Sequence, residues 1–299
     1  MSINKKAHAA VIVANVLYGA NFSIAKIAMP AFIKPSGFIL LRAFFASIMF
    51  VFLCKYLKVK DEVSRKDMPK MALLGLFGVA LNQLLFFGGL SRTSNINAAL
   101  IMTSNPILVL VVAALIIKEA ITGRRIWGIL CGVTGAAGLI LLSHRSASGA
   151  SLVGDTMIFI NAISYAIYMV MVKPLMKIYS PWILIKYTFL FGTLMVIPFS
   201  YREVMEIQWS TFTAPVWWSF IYVIIGTTFL AYFLNIYGLR HLSPAVVSFY
   251  IYLQPICATI ISLTILSEPV SMIQIAACLL IFLGVYLVSS PGANWRTQS

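Results

Sequence analysis

Ten apolar runs, each close to the length that crosses a bilayer, constrain this 299-residue chain more than any other feature. They cover residues 7–28, 36–56, 71–90, 95–117, 125–142, 154–173, 182–199, 216–237, 244–266 and 272–289. A lipid-spanning helix needs about 20 apolar residues. Breakers separate the runs: Pro30 and Pro35, Pro69, Gly123, Gly149, Pro181, Pro215, Pro244 and Pro269. The expected fold is an all-α membrane protein with ten transmembrane helices. With 61% hydrophobic and 10% charged residues, no soluble core of this size could hide the apolar excess. An ordinary soluble enzyme, a disordered chain and a cysteine-rich secreted scaffold are excluded. The first run, preceded by Lys5 and Lys6, mimics a signal peptide. Its full length and its Asn15, Asn21 and Lys26 read as a retained span.

The net charge is +14, and its distribution gives the orientation. Fifteen of the 22 Lys and Arg residues fall on the side that ten spans assign to both termini. Four fall on the other side, and Lys26, Arg42 and Lys186 lie inside runs. The positive-inside rule then places both termini in the cytoplasm of a cell with a cytoplasmic (inner) membrane. This bias accounts for the charge without nucleic acid.

The chain also repeats itself. An offset of 149 pairs Gly89 with Gly238, Ser94 with Ser243, Pro106 with Pro255, Glu119 with Glu268, and Gly135 with Gly284. An offset of 147 pairs Tyr18 with Tyr165 and Lys26 with Lys173. Each half holds five spans, an odd number, so the second half enters the membrane from the opposite side. The expectation is two five-helix inverted-topology repeats, residues 1–145 and 150–290, followed by a cytoplasmic tail, 291–299. Carriers commonly use this architecture, with the substrate path near the midplane between the halves.

The stretch from Thr93 to Leu100, then Pro106, then Ile116 to Thr122, then Gly128 to Leu142 resembles the EamA domain of the drug/metabolite transporter superfamily. Gly154-Asp155 followed by Ser164-Tyr165-Ala166-Ile167-Tyr168 resembles the start of a second such domain. The resemblance implies a ten-helix inner-membrane transporter, often an exporter of amino acids or other metabolites. At Pro244-Ala245-Val246-Val247 the second half lacks the small polar residues of the first.

Polar groups inside lipid are expensive and face a cavity or another helix. Asn15, Tyr18, Phe22 and Lys26 form one helical stripe, and Asn161, Ser164, Tyr165 and Tyr168 another. Both stripes either line a pathway or join helices by hydrogen bonds. Asn105-Pro106 and Gln254-Pro255 lie mid-span, where each proline denies an amide to the carbonyl of Met102 or Ile251. Pro106 and Pro255 read as hinges or as packed kinks. Asn82, Gln83, Thr227, Thr228, Tyr232, Asn235, Tyr250 and Tyr252 add polar or aromatic groups. Arg42 and Lys26 read either as helix-end anchors that snorkel or as an anion-attracting pair near the outer mouth.

The candidate substrate-binding set is therefore Asn15, Tyr18, Lys26, Arg42, Asn82, Asn105, Asn161, Ser164, Tyr165, Tyr168, Tyr252 and Gln254. No Asp or Glu reads as deep in a span; Glu119 and Glu268 end helices and Asp155 begins one. The expected function is alternating-access export of a small carboxylate-bearing metabolite, an amino acid or a related zwitterion or anion. The alternative is export of apolar cationic drugs or other metabolites. An intramembrane enzyme or a membrane scaffold is the rival class. His8, His144 and His241 lie at span ends or loops, and no HExxH, GxSxG or Walker motif is present. No metal or cofactor is expected. The expected partners are the small-molecule substrate and the lipid bilayer, and a monomer suits the sequence.

Overall fold

The computed structural model describes residues 3–59, 63–116, 118, 123–142, 151–242, 250–264 and 270–289, and these are helical with short turns. The helices are α1 (Ile3–Ala28), α2 (Pro35–Tyr56), α3 (Arg65–Leu90), α4 (Asn95–Met102), α5 (Asn105–Ile116) and α6 (Gly123–Leu142). After them come α7 (Leu152–Leu175), α8 (Pro181–Met205), α9 (214–241), α10 (Leu253–Thr264) and α11 (Met272–Ser289). Among the described residues, seven helices are long and apolar enough to cross a membrane. The bent pair α4–α5 makes an eighth if taken as one span, and α10 and α11 are shorter apolar helices. Large apolar side chains such as Phe52, Leu115 and Leu279 stay exposed, as a lipid-facing surface requires.

The breaks follow the residues predicted to make them. Pro35, Pro69, Pro181 and Pro215 sit in the first turns of α2, α3, α8 and α9, where a missing N–H costs no helix bond. Ser94 and Ser151 cap α4 and α7 by accepting from the amides of Asn97 and Gly154. Pro106 does not kink a continuous helix. The chain breaks at Thr103–Ser104, bends by 41°, and restarts with Pro106 in the first turn of α5. Pro255 likewise lies in the first turn of α10, after a turn of 3-10 helix at Tyr250–Tyr252. Gly149, Pro244, Pro269, Glu119, Glu268, Ser243, His144 and the tail 291–299 lie outside the described residues.

Helix pairing repeats at the two sequence offsets. A Cβ on Gly89 of α3 would meet Ile158 and the Gly154 carbonyl of α7. A Cβ on Gly238 of α9 would meet Val11 and approach the Ala7 carbonyl of α1. Gly238 follows Gly89 by 149 residues, while Ile158 and Gly154 follow Val11 and Ala7 by 147. In the α6–α11 pair, Gly135 faces Ile281 and Ala277, and Gly284 faces Gly132 and Gly128. These close approaches need glycine because the neighbouring atoms would lie within about 3 Å of a Cβ. A π segment interrupts α3 at Leu76–Ala80 and α9 at Tyr222–Leu230; the offset of 149 carries the first to 225–229, inside the second. Such insertions concentrate at functional sites.

Candidate functional site

A cavity of about 250 Å³ lies between helices of both halves. It extends from Arg42 and Gln83 to Met176 and Pro181, on either side of the α7–α8 turn. Ligand pockets usually span about 300–1,000 Å³, so this one suits a small metabolite. Nine of the twelve candidate residues lie on its wall: Asn15, Tyr18, Arg42, Asn82, Asn105, Asn161, Tyr165, Tyr168 and Gln254. Their polar ends are presented by α1, α2, α3, α5, α7 and α10.

α1 and α10 meet through Gln254, whose amide Nε2 donates to Asn15 Oδ1 at 2.9 Å. Asn15 Nδ2 in turn donates to the Val11 carbonyl. Tyr18 packs edge-on against Tyr232 with ring centroids 6.2 Å apart, and Tyr165 lies 6.1 Å from Tyr168. Gly78 makes room for the second ring: a Cβ there would stand 2.6 Å from Tyr168 Cδ2. Phenol rings offer an apolar face and a hydrogen-bonding tip to a mixed ligand.

Arg42 is the cation of this cavity. It lies some seven residues into α2, about 10 Å from that helix end at 1.5 Å per residue, yet it does not snorkel and is only 6% exposed. Nε donates to Thr228 Oγ1 and Nη1 donates to Gln83 Oε1 at 2.8 Å. The guanidinium sits 5.0 Å from the centre of the Phe87 ring. Sequence distance from a helix end could not show that α3 and α9 enclose this position and supply neutral acceptors. Gln83 passes the chain on to Asn82, whose amide contacts the Asn161 carbonyl, and Asn161 Nδ2 donates back to the Asn82 carbonyl at 2.7 Å. Among the described residues, no Asp or Glu lies on the cavity wall. A guanidinium carries five N–H donors, and two of Arg42's are engaged.

Three candidates sit elsewhere. Ser164 donates to the Phe77 carbonyl in the π segment of α3 at 2.8 Å, so it joins helices rather than lining the cavity. Tyr252 packs against Phe282 at 5.3 Å. Lys26 Nζ donates to the Thr93 carbonyl at 2.5 Å; it is off the cavity wall and forms no pair with Arg42 there. Asn21, Gln83, Phe86, Met169, Tyr232 and Asn235 complete much of the wall. Of these, Asn21 would follow from extending the α1 stripe by one turn from Tyr18. Met169 carries no polar signal.

At the far end from the α7–α8 turn lies a buried carboxylate, at the start of its helix rather than deep in the span. Asp155 begins α7 as expected but is 0% exposed. Its Oδ1 accepts from the Thr93 hydroxyl and its Oδ2 from Asn97 Nδ2 at 2.8 Å. Asn97 Oδ1 accepts from Gln274 Nε2 of α11 at 2.7 Å. The network ties α1, the α3–α4 turn, α4, α7 and α11 together. On the surface, Lys34 pairs with Glu206 at 2.6 Å. Lys34 holds the Glu206 carboxyl below the usual carboxylate range, though such an exposed pair adds little stability.

Comparison with known proteins agrees with this architecture. The pattern of the EamA-like transporter family matches residues 5–141 and again 152–290. The Bacillus subtilis (strain 168) protein named uncharacterized transporter YyaM is 27% identical over 95% of each chain. An Archaeoglobus fulgidus protein, also named an uncharacterized transporter, is 24% identical over 86% of this chain and 89% of its own. A WAT1-related protein of Arabidopsis thaliana is 22% identical over 98% of this chain and 88% of its own. One chain of known crystal structure superposes with a TM-score of 0.62 at 17% identity, over 95% of this chain and 97% of that one, a likeness of fold. With both halves matched, this multi-pass membrane protein belongs to the EamA-like transporter family.

Proposed function

We propose that the chain is a secondary carrier that exports a small carboxylate-bearing metabolite, an amino acid or a related zwitterion or anion, by alternating access. The observation that carries this reading is Arg42: a buried cation on the cavity wall, held by the neutral side chains of Thr228 and Gln83. A cation removed from water without a counter-charge is costly, and a substrate carboxylate supplies that charge while bound. A contact at about 4 Å under an effective dielectric of about 20 is worth roughly 4 kcal/mol before desolvation. About a third of that changes affinity tenfold.

The reading includes ten spans in two inverted halves of five. Its support is the recurrence of the glycine contacts and π segments at the repeat offsets. With both termini cytoplasmic, the α7–α8 turn is cytoplasmic and the Asp155 network is outside. The cavity is then loaded from within, as export requires. A membrane-impermeant thiol reagent applied outside whole cells should not reach Ser64→Cys in a cysteine-free background. Labelling from outside would reverse the orientation.

Flux tests the substrate. Proteoliposomes holding the purified protein should release labelled amino acids with saturation and counter-flow, and Arg42→Gln should raise the half-saturating concentration at least tenfold. An unchanged half-saturation, or preferential transport of quaternary ammonium compounds, would sink the carboxylate assignment.

A further inference from the structure

We infer that Asn105 and Asn161 form a second subsite in the cavity, one that reads N–H donors and selects metabolites with a free ammonium over plain carboxylic acids. The inference rests on the carboxylate reading of Arg42 for its opposite pole. Both asparagines line the cavity and are 5% and 1% exposed, and the side-chain oxygen of each accepts no hydrogen bond. A buried acceptor without a donor is costly. For Asn161 the direction of the amide is fixed, because its Nδ2 donates to the Asn82 carbonyl. Flipping the amide would set oxygen against oxygen.

The repeat explains why Asn105 lacks a partner. Asn105 and Gln254 occupy equivalent positions 149 residues apart. Gln254 is satisfied by Asn15, but the position equivalent to Asn15 in the second half is Ala162. That half therefore offers no side chain to the Asn105 amide, and its oxygen is left buried behind the cavity wall without a donor, where a turn of the side chain would bring it to a ligand. Another acceptor lies on the same wall: Asn235 Oδ1 is also buried without a donor.

α5 and α7 pack directly, through Leu108 against Ala162 and Ala166 with Met102 and Phe159 alongside, so the two asparagines stand on contacting helices. Asn161 connects to Arg42 through Asn82 and Gln83. The cavity is thus bipolar: cationic N–H donors at Arg42 and unpaired oxygens at Asn105 and Asn161. An ammonium brings up to three donors in tetrahedral array, and a carboxylate alone brings none.

The test is binding by the full-length protein in detergent, read by calorimetry and by the thermal midpoint. The probes are leucine, methionine and phenylalanine, each against its deaminated acid. In the parent protein the amino acid should bind at least tenfold tighter than the acid in at least one pair. Asn105→Ala should reduce that ratio at least threefold without weakening the acid, and Asn105→Asp should restore or exceed it. Asn161→Ala should act in the same direction, and Asn105 carries the test if that variant does not fold. A parent ratio near one, a ratio unchanged in both alanine variants, or no binding by any amino acid overturns the inference. Acids that bind as well as amino acids and weaken in Arg42→Gln would leave the carboxylate reading standing without the ammonium subsite. Amine-dependent binding indifferent to Arg42→Gln would do the reverse.

Discussion

Arg42 and Asp155 are both buried charges in helices of an apolar protein, and they are held in opposite ways. Asp155 has each carboxylate oxygen engaged by a donor on a neighbouring segment. It also lies in the first turn of α7, where the helix dipole favours an anion. Arg42 is engaged through two of five donors and borders open volume. A charge whose hydrogen-bonding capacity is met internally fastens helices together. A charge left partly unmet beside a cavity is available to a ligand. On the reading proposed above, buried charge fastens helices at Asp155 and meets substrate at Arg42.

The largest expected effect tests the fastening. Asp155→Ala strands the Thr93 hydroxyl and the Asn97 amide in a buried site and should cost about 3 kcal/mol or more. Thermal unfolding in detergent would show this as a lowered midpoint, with Asp155→Asn intermediate. An unchanged midpoint would remove Asp155 from the fastening role. Next comes the cavity wall. Gly78→Ala drives a methyl against the Tyr168 ring and Thr188 Cγ2; overpacking of this kind costs about 1–3 kcal/mol. The displaced ring should also raise the half-saturating substrate concentration in flux assays, and a variant with parental flux would show the wall to be pliant. The smallest change in stability belongs to Arg42→Gln. Removing a buried cation that lacks an ionic partner should leave the midpoint within about 1 kcal/mol of the parent, or raise it, while transport falls. A loss as large as that of Asp155→Ala would make both charges fasteners and erase the contrast.

Much of this was legible along the chain. Apolar runs with prolines and glycines between them predicted helix positions, because lipid-spanning backbone must satisfy itself locally. The stripe of Asn15, Tyr18 and Phe22 predicted one cavity-facing side of α1, since helical spacing alone decides which side chains share a face. The same stripe carried Lys26 too far, because beyond the cavity that face meets the α3–α4 turn and the ammonium ends on Thr93. Ser164 shares a face with Tyr165, yet its hydroxyl serves a carbonyl of a π segment that no periodicity announced. Arg42 and Asp155 were the least legible. Each lies a short way from a helix end, and what buries it comes from helices distant in sequence.

The two π segments have a consequence for insertions and deletions. A π segment carries an extra residue relative to regular α-helix, and each residue of α-helix advances the azimuth by about 100°. Deleting one residue within Leu76–Ala80 of α3 would leave a smooth helix of nearly the same length. Every later side chain would nevertheless be turned about the axis, swinging Asn82 and Gln83 away from Arg42. In α9 the same edit would rotate Tyr232 and Asn235, which follow Tyr222–Leu230, off the cavity wall. Residue count in these two stretches therefore sets the aim of the side chains beyond them, and a substitution that preserves every contact is tolerated where a single-codon deletion is not.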